Sequence, residues 1–194
     1  MSVRVVIAED EAIIRLDLKE ILQEQGYEVV AETGRGDEVV ALVKQHTPDL
    51  VMLDVKMPGR DGLSVAEELS ADRRAAIVIL TAFSQRDLVE RARDAGAVAY
   101  LVKPFEKSDL LPAIEIALGR HAELLALDAE VSDLSERLEA RKVLDRAKGK
   151  LMDQHEMNES QAWRFLQSTA MDERSPVAAV AQRVLDGSLV PTQA

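Results

Sequence analysis

The sequence predicts an α/β fold in which a doubly wound, five-stranded parallel sheet is followed by a long helix and a small three-helix all-α domain. Two observations predict the sheet. Short apolar runs alternate with amphipathic stretches between Val3 and Phe105, and most of these runs are continuously apolar. Continuous runs are typical of parallel strands buried on both faces. Alternation with helices requires right-handed crossovers, which place helices on both faces of one sheet.

The predicted elements follow in chain order. The strands are residues 3–8, 28–31, 50–53, 77–80 and 100–102, and the helices between them are residues 12–25, 37–44, 63–70 and 85–95. Glycine or proline stands at several of the boundaries, where helices end and turns begin. Ser84 and Asp87 resemble a capping box for the fourth helix.

A fifth helix is predicted from Ser108, its expected N-cap, with Pro112 in or near the first turn, where proline is best tolerated. Its middle carries an apolar seam with 3-4-3-4 spacing, which is the spacing of a coiled coil. The seam consists of Leu124, Leu127, Val131, Leu134 and Leu138. Two short helices follow, one capped by Asn158 with Gln161 and one by Ser175 with Pro176 at its first position.

Composition limits the function classes. The chain has 194 residues, no cysteine and a formal net charge of −11. Disulfides and thiolate metal sites are therefore excluded. No apolar run is long enough to span a membrane and no secretory signal is visible, which favours a cytoplasmic protein. An acidic chain is a poor candidate for nucleic-acid binding, but residues 141–150 reverse the charge with five basic groups and one acidic group.

Polar residues cluster where the predicted strands end. Glu9-Asp10-Glu11 follows the first strand, Asp54 the third, Thr81 the fourth and Lys103-Pro104 the fifth. Ligand sites of open α/β sheets lie beyond the carboxyl ends of the strands. A carboxylate there can accept a phosphoryl group if the added charge is neutralised and the oxygens are held in line. Mg²⁺, a lysine and a threonine hydroxyl are groups that perform these tasks.

Four motifs at these strand ends resemble one family. They are Ile7-Ala8-Glu9-Asp10, the run from Leu53 to Gly62, Leu80-Thr81-Ala82 and Lys103-Pro104-Phe105. Taken singly, each has an ordinary explanation: a solvated acidic turn, a strand end or a surface lysine. Together, in this order, they make residues 3–120 resemble the receiver domains of bacterial response regulators, whose fold is flavodoxin-like.

The resemblance implies a phosphoacceptor and a metal site. Asp54 would accept phosphate from a sensor histidine kinase. Asp10, Asp54 and the backbone carbonyl of Lys56 would ligate Mg²⁺, with Glu9 assisting through water.

The resemblance also implies a switch. Lys103 would contact the phosphoryl oxygens. Its peptide bond to Pro104 is expected to be cis. Thr81 would be the switch hydroxyl, and Tyr100 the aromatic residue that moves inward when Thr81 is drawn to the phosphate. Residues 84–100 are the natural bistable element.

The C-terminal part resembles a second family. The matching residues are Arg141, Ala147-Lys148-Gly149, Leu151-Met152, Ala162, Phe165-Leu166, Ala170-Met171 and Val180-Ala181. Residues 134–185 thereby resemble an ANTAR domain, the RNA-binding antiterminator output of some response regulators. The resemblance implies binding to RNA hairpins in nascent transcripts and prevention of a terminator. The expected domains are a receiver at 1–120, a helical linker at 121–140 and an ANTAR domain at 134–190.

The residue types of the basic stretch suit RNA. The small side chains of Ala147 and Gly149 would let an RNA backbone approach the helix. The phosphates would be neutralised by five basic residues, with a salt-dependent affinity. These are Arg141, Lys142, Arg146, Lys148 and Lys150. Trp163 and Phe165 could stack on bases, but the apolar pattern around them favours a place in the core.

Alternatives stay open for the seam and for the output. The seam could form a homodimer on phosphorylation or pack within the chain. The output could be a DNA-binding helix-turn-helix, although the last helix carries only Arg183 and would be a poor recognition helix. It could also be a protein-interaction module. An enzymatic output is not expected, because the tail has no nucleophile–base pair or metal-ligand set.

Overall fold

A computed structural model of the chain describes residues 2–82 and 86–191, with side chains from residue 90 onward in the second range. The chain divides into two compact units, Met1–Ala126 and Leu127–Ala194. Among the residues described, none of the helices combines the length and apolar composition that crossing a bilayer requires.

The first unit contains the predicted five-stranded parallel sheet. The strands are β1 (Arg4–Ala8), β2 (Glu28–Thr33), β3 (Leu50–Asp54), β4 (Ala76–Thr81) and β5 (Ala99–Val102). Their order in the sheet is β2-β1-β3-β4-β5, and every pairing is parallel. All residues of β3 and β4 are buried, as their continuous apolar sequences predict. The doubly wound α/β fold is thus confirmed.

Helices cover both faces of the sheet. They are α1 (Ala12–Glu24), α2 (Gly36–His46), α3 (Gly62–Ala71), α4 (Arg86–Asp94) and α5 (Lys107–His155). Alternate residues of each strand point to opposite faces, so Val51 packs in one core with α2 and α3, and Met52 in the other with α1 and α5. The predicted capping box of Ser84 and Asp87 lies outside the described residues.

The start of α5 differs from the prediction. Ser108 is not the N-cap, because the helix begins at Lys107. The carbonyl of Glu106 accepts the first helical hydrogen bonds, and the Asp109 carboxylate accepts one from the Glu106 N–H at 3.0 Å. The Asp109 side chain therefore satisfies a donor that would otherwise lack a partner at this end. As a result, Pro112 lies within the helix rather than in its first turn.

The second unit is a three-helix core, as predicted. The last part of α5, together with α6 (Glu159–Asp172) and α7 (Val177–Asp186), encloses it. Asn158 and Gln161 form the predicted capping box of α6. The prediction for α7 was wrong by one residue, since Pro176 is the N-cap. Ser175 instead belongs to the C-terminal cap of α6. Arg174 is in the left-handed region, and the N–H of Ser175 then donates to the carbonyl of Ala170.

Candidate functional site

Three carboxylates meet at the carboxyl edge of the sheet. β1 and β3 pair through Ala8 and Leu53, so the residues that follow, Glu9 and Asp54, come side by side. Asp10 is next along the chain. One carboxylate oxygen from each of Glu9, Asp10 and Asp54 lies within 4.8 Å of the others. Glu9 and Asp54 are buried and Asp10 is exposed, so the cluster is open to solvent on one side.

Lys103 places its ammonium group among these carboxylates. It follows β5, and its backbone N–H donates to the carbonyl of Thr81 at 2.7 Å. Its Nζ lies 2.6 Å from Glu9 Oε2 and 3.2 Å from Asp54 Oδ1. The side chain is only 10% exposed, so these ion pairs are sheltered from solvent. The Lys103–Pro104 peptide bond is cis, as predicted.

The pKa values of Glu9, Asp54 and Lys103 reflect their burial first and their mutual charges second. Burial raises the pKa of Glu9, and the neighbouring charge of Asp54 adds to the rise, although Lys103 opposes it. Burial also raises the pKa of Asp54 against the effect of Lys103. Burial alone would lower the pKa of Lys103, but its close contact with Glu9 and the charges of both carboxylates raise it. Each of these groups therefore depends on the others for its charge.

The donor set suits a hard divalent cation. Three carboxylates and one ammonium group leave an excess of two negative charges. Glu9 Oε2 is buried and, in the part of the chain that the structure describes, has no well-directed hydrogen bond despite its short contact with Lys103. Carboxylate oxygens are the ligands that Mg²⁺ prefers, with water completing the shell. Glu9, Asp10 and Asp54 can thus hold such an ion.

The loop after β3 is held against Asp54 by close backbone contacts that the sequence does not reveal. A Cβ on Gly62 would lie 2.0 Å from the carbonyl oxygen of Asp54, so no larger residue fits there. Asp61 caps α3 by accepting hydrogen bonds from the Leu63 N–H and the Ser64 hydroxyl. The sequence pattern identifies Gly62 only as a boundary. Lys56 lies exposed in this loop, and metal ligation by its carbonyl stays a prediction.

The two predicted switch residues lie on adjacent strands. Thr81 is the buried last residue of β4 and pairs with Val102 of β5. Tyr100, on β5, is 47% exposed, so its ring is at the surface. Of the predicted bistable element at residues 84–100, residues 84 and 85 lie outside the described residues. The switch roles of Thr81 and Tyr100 stay predictions.

In the second unit, the predicted RNA-binding residues have different surroundings. Arg141, Lys142 and Arg146 are exposed on α5, and Lys142 pairs with Glu139 one turn away. The ammonium of Lys148 lies 3.0 Å from Asp145 Oδ1 and 2.9 Å from Glu159 Oε1.

Lys150 contacts backbone rather than acidic side chains. Its Nζ donates to the carbonyls of Val184 and Leu185 at 3.0 and 2.9 Å, at the end of α7. Free carbonyls at a helix C-terminus favour a nearby cation. The structure therefore gives Lys150 a role in joining α5 to α7.

Two expectations about side chains need correction. Ala147 is fully buried in the three-helix core. Its side chain therefore faces the core, and RNA cannot approach the helix over it. Gly149 is partly exposed, and a Cβ placed on it would meet no atom within 4 Å. Trp163 is not a core residue, because it is 40% exposed, whereas Phe165 packs against the core as predicted.

Comparison with known families accounts for both units. Residues 5–115 match the response regulator receiver domain, and residues 132–185 match the ANTAR domain. The chain is a response regulator with a receiver domain and an ANTAR output domain. Because ANTAR domains bind RNA, the output of this response regulator belongs to an RNA-binding class.

Individual relatives agree with this assignment. The chain is 60% identical over 183 residues to the transcriptional regulatory protein PdtaR of Mycobacterium tuberculosis, covering 94% of this chain and 89% of PdtaR. It is 40% identical to the chemotaxis protein CheY of Bacillus subtilis over 120 residues, which are 61% of this chain and all of CheY. It resembles a structure of a CheX–CheY complex with BeF3 and Mg²⁺ from Borrelia burgdorferi, with a TM-score of 0.55 and 26% identity over 58% of this chain and 86% of that chain.

Proposed function

We propose that this response regulator accepts a phosphoryl group on Asp54 from a sensor histidine kinase and thereby controls RNA binding by its ANTAR domain, as a transcription antiterminator in the cytoplasm. The observation that supports the phosphoryl transfer is the placement of Lys103, within 3.2 Å of Asp54 and 2.6 Å of Glu9. Asp10, Asp54 and the carbonyl of Lys56 would hold Mg²⁺, with Glu9 acting through water.

The transfer itself needs little covalent chemistry from the protein. An Asp54 oxygen forms a bond to phosphorus, the bond between phosphorus and the kinase histidine breaks, and its electron pair stays on the imidazole. A bound magnesium ion would neutralise charge on the phosphoryl oxygens. Lys103 is already beside the acceptor and can move its contact from the carboxylates to the new phosphoryl oxygens. The Thr81 hydroxyl donates a hydrogen bond to one of them, which draws Thr81 inward.

The first experiment measures phosphorylation of the intact chain with acetyl phosphate and Mg²⁺, by intact mass and by acid lability. We expect one phosphoryl group on the wild type and none on Asp54→Asn. Asp153→Asn is the matched control, because it makes the same chemical change on an exposed residue of the other unit. Labelling that persists in Asp54→Asn would place the acceptor elsewhere. A wild type that neither acetyl phosphate nor any kinase can label would refute the proposal.

The second experiment tests the output by filter binding of hairpin RNA and duplex DNA. RNA binding is favoured by the exposed basic residues Arg141 and Arg146 on α5. The DNA-binding alternative receives little support, because Arg183, the only basic residue of α7, pairs with Glu173. Preference for DNA would favour a helix-turn-helix output, and binding to neither would favour a protein-interaction module. Antitermination is measured as readthrough of a terminator in transcription with purified polymerase.

Homodimerisation belongs to the same proposal. The predicted seam on α5 is exposed at all five positions, from 37% to 62%. Its members are Leu124, Leu127, Val131, Leu134 and Leu138. Their spacing is that of a two-stranded coiled coil, so a second copy of this helix is the partner that the seam fits. Light scattering with and without a phosphoryl mimic should show a doubling of mass, and an unchanged monomer would refute dimerisation.

A further inference from the structure

Trp163 is an exposed aromatic residue in a unit that could have buried it. It is the only tryptophan in the chain and is 40% exposed. Three other apolar residues of the same helix, Ala162, Leu166 and Ala170, are buried in the three-helix core. Leaving part of an indole in water forgoes the stabilisation that its burial would give. An external contact would account for this exposure.

The position of Trp163 relates it to the basic face of α5. Glu159 lies one turn before Trp163, and residues four apart on a helix are neighbours on its surface. The Glu159 carboxylate is 2.9 Å from Lys148 Nζ. Trp163 is therefore on the side of α6 that faces Lys148 of α5.

The basic side of this surface continues along α5. Lys148 also pairs with Asp145, one turn earlier, and Arg141 lies one further turn before Asp145. Arg141, Asp145 and Lys148 thus share one face of α5. This surface therefore carries the exposed ring of Trp163 together with two basic residues, Arg141 and Lys148, and the acidic partners of Lys148.

We propose that the indole of Trp163 is a stacking platform for an unpaired base of an RNA loop, with Arg141 and Lys148 contacting the adjacent phosphates. This inference rests on the proposed RNA binding and names the part of the RNA that is read. Proteins that recognise RNA loops stack splayed bases on aromatic side chains and neutralise the backbone with basic ones. Gln167, exposed one turn beyond Trp163, supplies an amide that can hydrogen-bond to a base edge.

RNA fits this surface better than an apolar protein partner does. On the exposed stripe of α6, polar Gln167 separates Trp163 from the next large apolar residue, Met171. On the other side of Trp163 the neighbours are charged: Glu159 lies one turn earlier on α6, and its carboxylate pairs with Lys148 of α5. A protein interface is centred on a contiguous apolar patch with few charges, whereas one ring among basic groups is the arrangement of a nucleic-acid platform.

The single tryptophan makes the test direct. The full-length protein is titrated with a hairpin RNA that has a loop of adenines, and with the same stem closed as a blunt duplex, at low salt. Binding is followed by Trp163 emission and, in parallel, by filter retention. We expect the hairpin to quench the emission with the same midpoint as its filter binding, and the loopless duplex to leave the emission unchanged.

Substitutions separate stacking from structure. Trp163→Leu should weaken hairpin binding by between about 5-fold and about 150-fold, which is the range for losing one base–aromatic stack. Its salt dependence should keep the wild-type slope, because no phosphate contact is removed. Trp163→Phe should retain most of the affinity because it keeps a ring. Arg141→Met is the complementary variant and should make the slope shallower by about one phosphate contact. Far-ultraviolet circular dichroism of each variant verifies folding.

The outcomes distinguish this inference from the proposed function. If the wild type binds the hairpin but emission is unquenched and Trp163→Leu binds equally well, the stacking platform is refuted and RNA binding stands. If Trp163→Phe loses as much affinity as Trp163→Leu, a base stack is likewise refuted. If the wild type binds no RNA by filter retention, the proposed function fails, and this inference fails with it.

Discussion

Lys150 belongs to the basic stretch at residues 141–150. Replacing it tests whether this lysine stabilises the fold or binds a phosphate of the RNA. Lys150 donates to the carbonyls of Val184 and Leu185 at the end of α7. Lys150→Met keeps a chain of similar length and removes only the charged donor. We expect it to destabilise the three-helix unit and to leave the salt dependence of RNA binding unchanged, in contrast to substitution of Arg141.

The size of the effect follows from the two contacts. A hydrogen bond involving a charged group contributes about 1.5–3 kcal/mol when it is sheltered. Lys150 is only partly buried, and water can solvate the released carbonyls, so we expect about 1–3 kcal/mol for both bonds together. This sum includes the favourable position of a cation at a helix C-terminus. With a urea m-value of about 1 kcal/mol/M for so small a unit, the midpoint should fall by about 1 M or more.

Trp163 emission reports this unfolding selectively, because the only tryptophan lies on α6 of the second unit. Urea titrations of the wild type and Lys150→Met therefore monitor the three-helix unit without interference from the receiver. Lys142→Met is the matched control. Lys142 is exposed and, in the described part of the chain, pairs only with Glu139 one turn away. The urea midpoint of Lys142→Met should therefore stay at the wild-type value. A Lys150→Met protein of wild-type stability, with a salt slope reduced by about one contact, would refute this reasoning.

Three further predictions concern single side chains. Burial, and then the charge of Arg73, lower the pKa of His121. Because the imidazole binds a proton more readily in the unfolded chain, receiver stability should fall as the pH drops below about 6.5. His121→Gln should make the melting temperature of the receiver less dependent on pH over this range. Asn158→Ala removes half of the α6 capping box and should lower the free energy of unfolding of the second unit by about 1 kcal/mol, measured by urea titration, with Asn158→Asp near wild type. Glu159→Gln frees Lys148 from one carboxylate and should strengthen RNA binding and steepen its salt dependence in filter assays; weaker binding would contradict this.

The fold was predictable because its signals are local. Each strand is a run of apolar residues, and the chemistry of the site lies at or directly after the ends of the strands. Predicting the strands therefore also places Glu9, Asp54 and Lys103 at one edge. Errors occurred where two nearby residues compete for one role. Ser108 and Asp109 can both serve a helix start, and the sequence does not show that Asp109 bonds the Glu106 N–H.

The surroundings of the basic stretch were less predictable, for two different reasons. The carbonyls that Lys150 contacts lie 34 and 35 residues away, so no local pattern signals them. For Trp163 a signal was available. Ala162, Leu166 and Ala170 repeat at four-residue spacing and define the buried face, and the residue after Ala162 is turned by about 100° from it. The residue type of Trp163 predicts burial, whereas its position in the helical period places it at the edge of the buried face of α6.

Charge constrains how the proposed phosphorylation of Asp54 could change RNA binding. The chain has a formal net charge of −11. Phosphorylation would replace the single negative charge of the Asp54 carboxylate with an acyl phosphate of about −1.5 to −2, a net gain of about one negative charge or less. Phosphorylation therefore makes the overall field more repulsive to RNA. A gain in affinity would then need either a rearrangement that makes the surface around Trp163 more accessible to RNA or the assembly of two copies. These routes differ in one observable. Two basic faces in one particle would double the slope of affinity against salt concentration, whereas exposure of one face would raise affinity at constant slope.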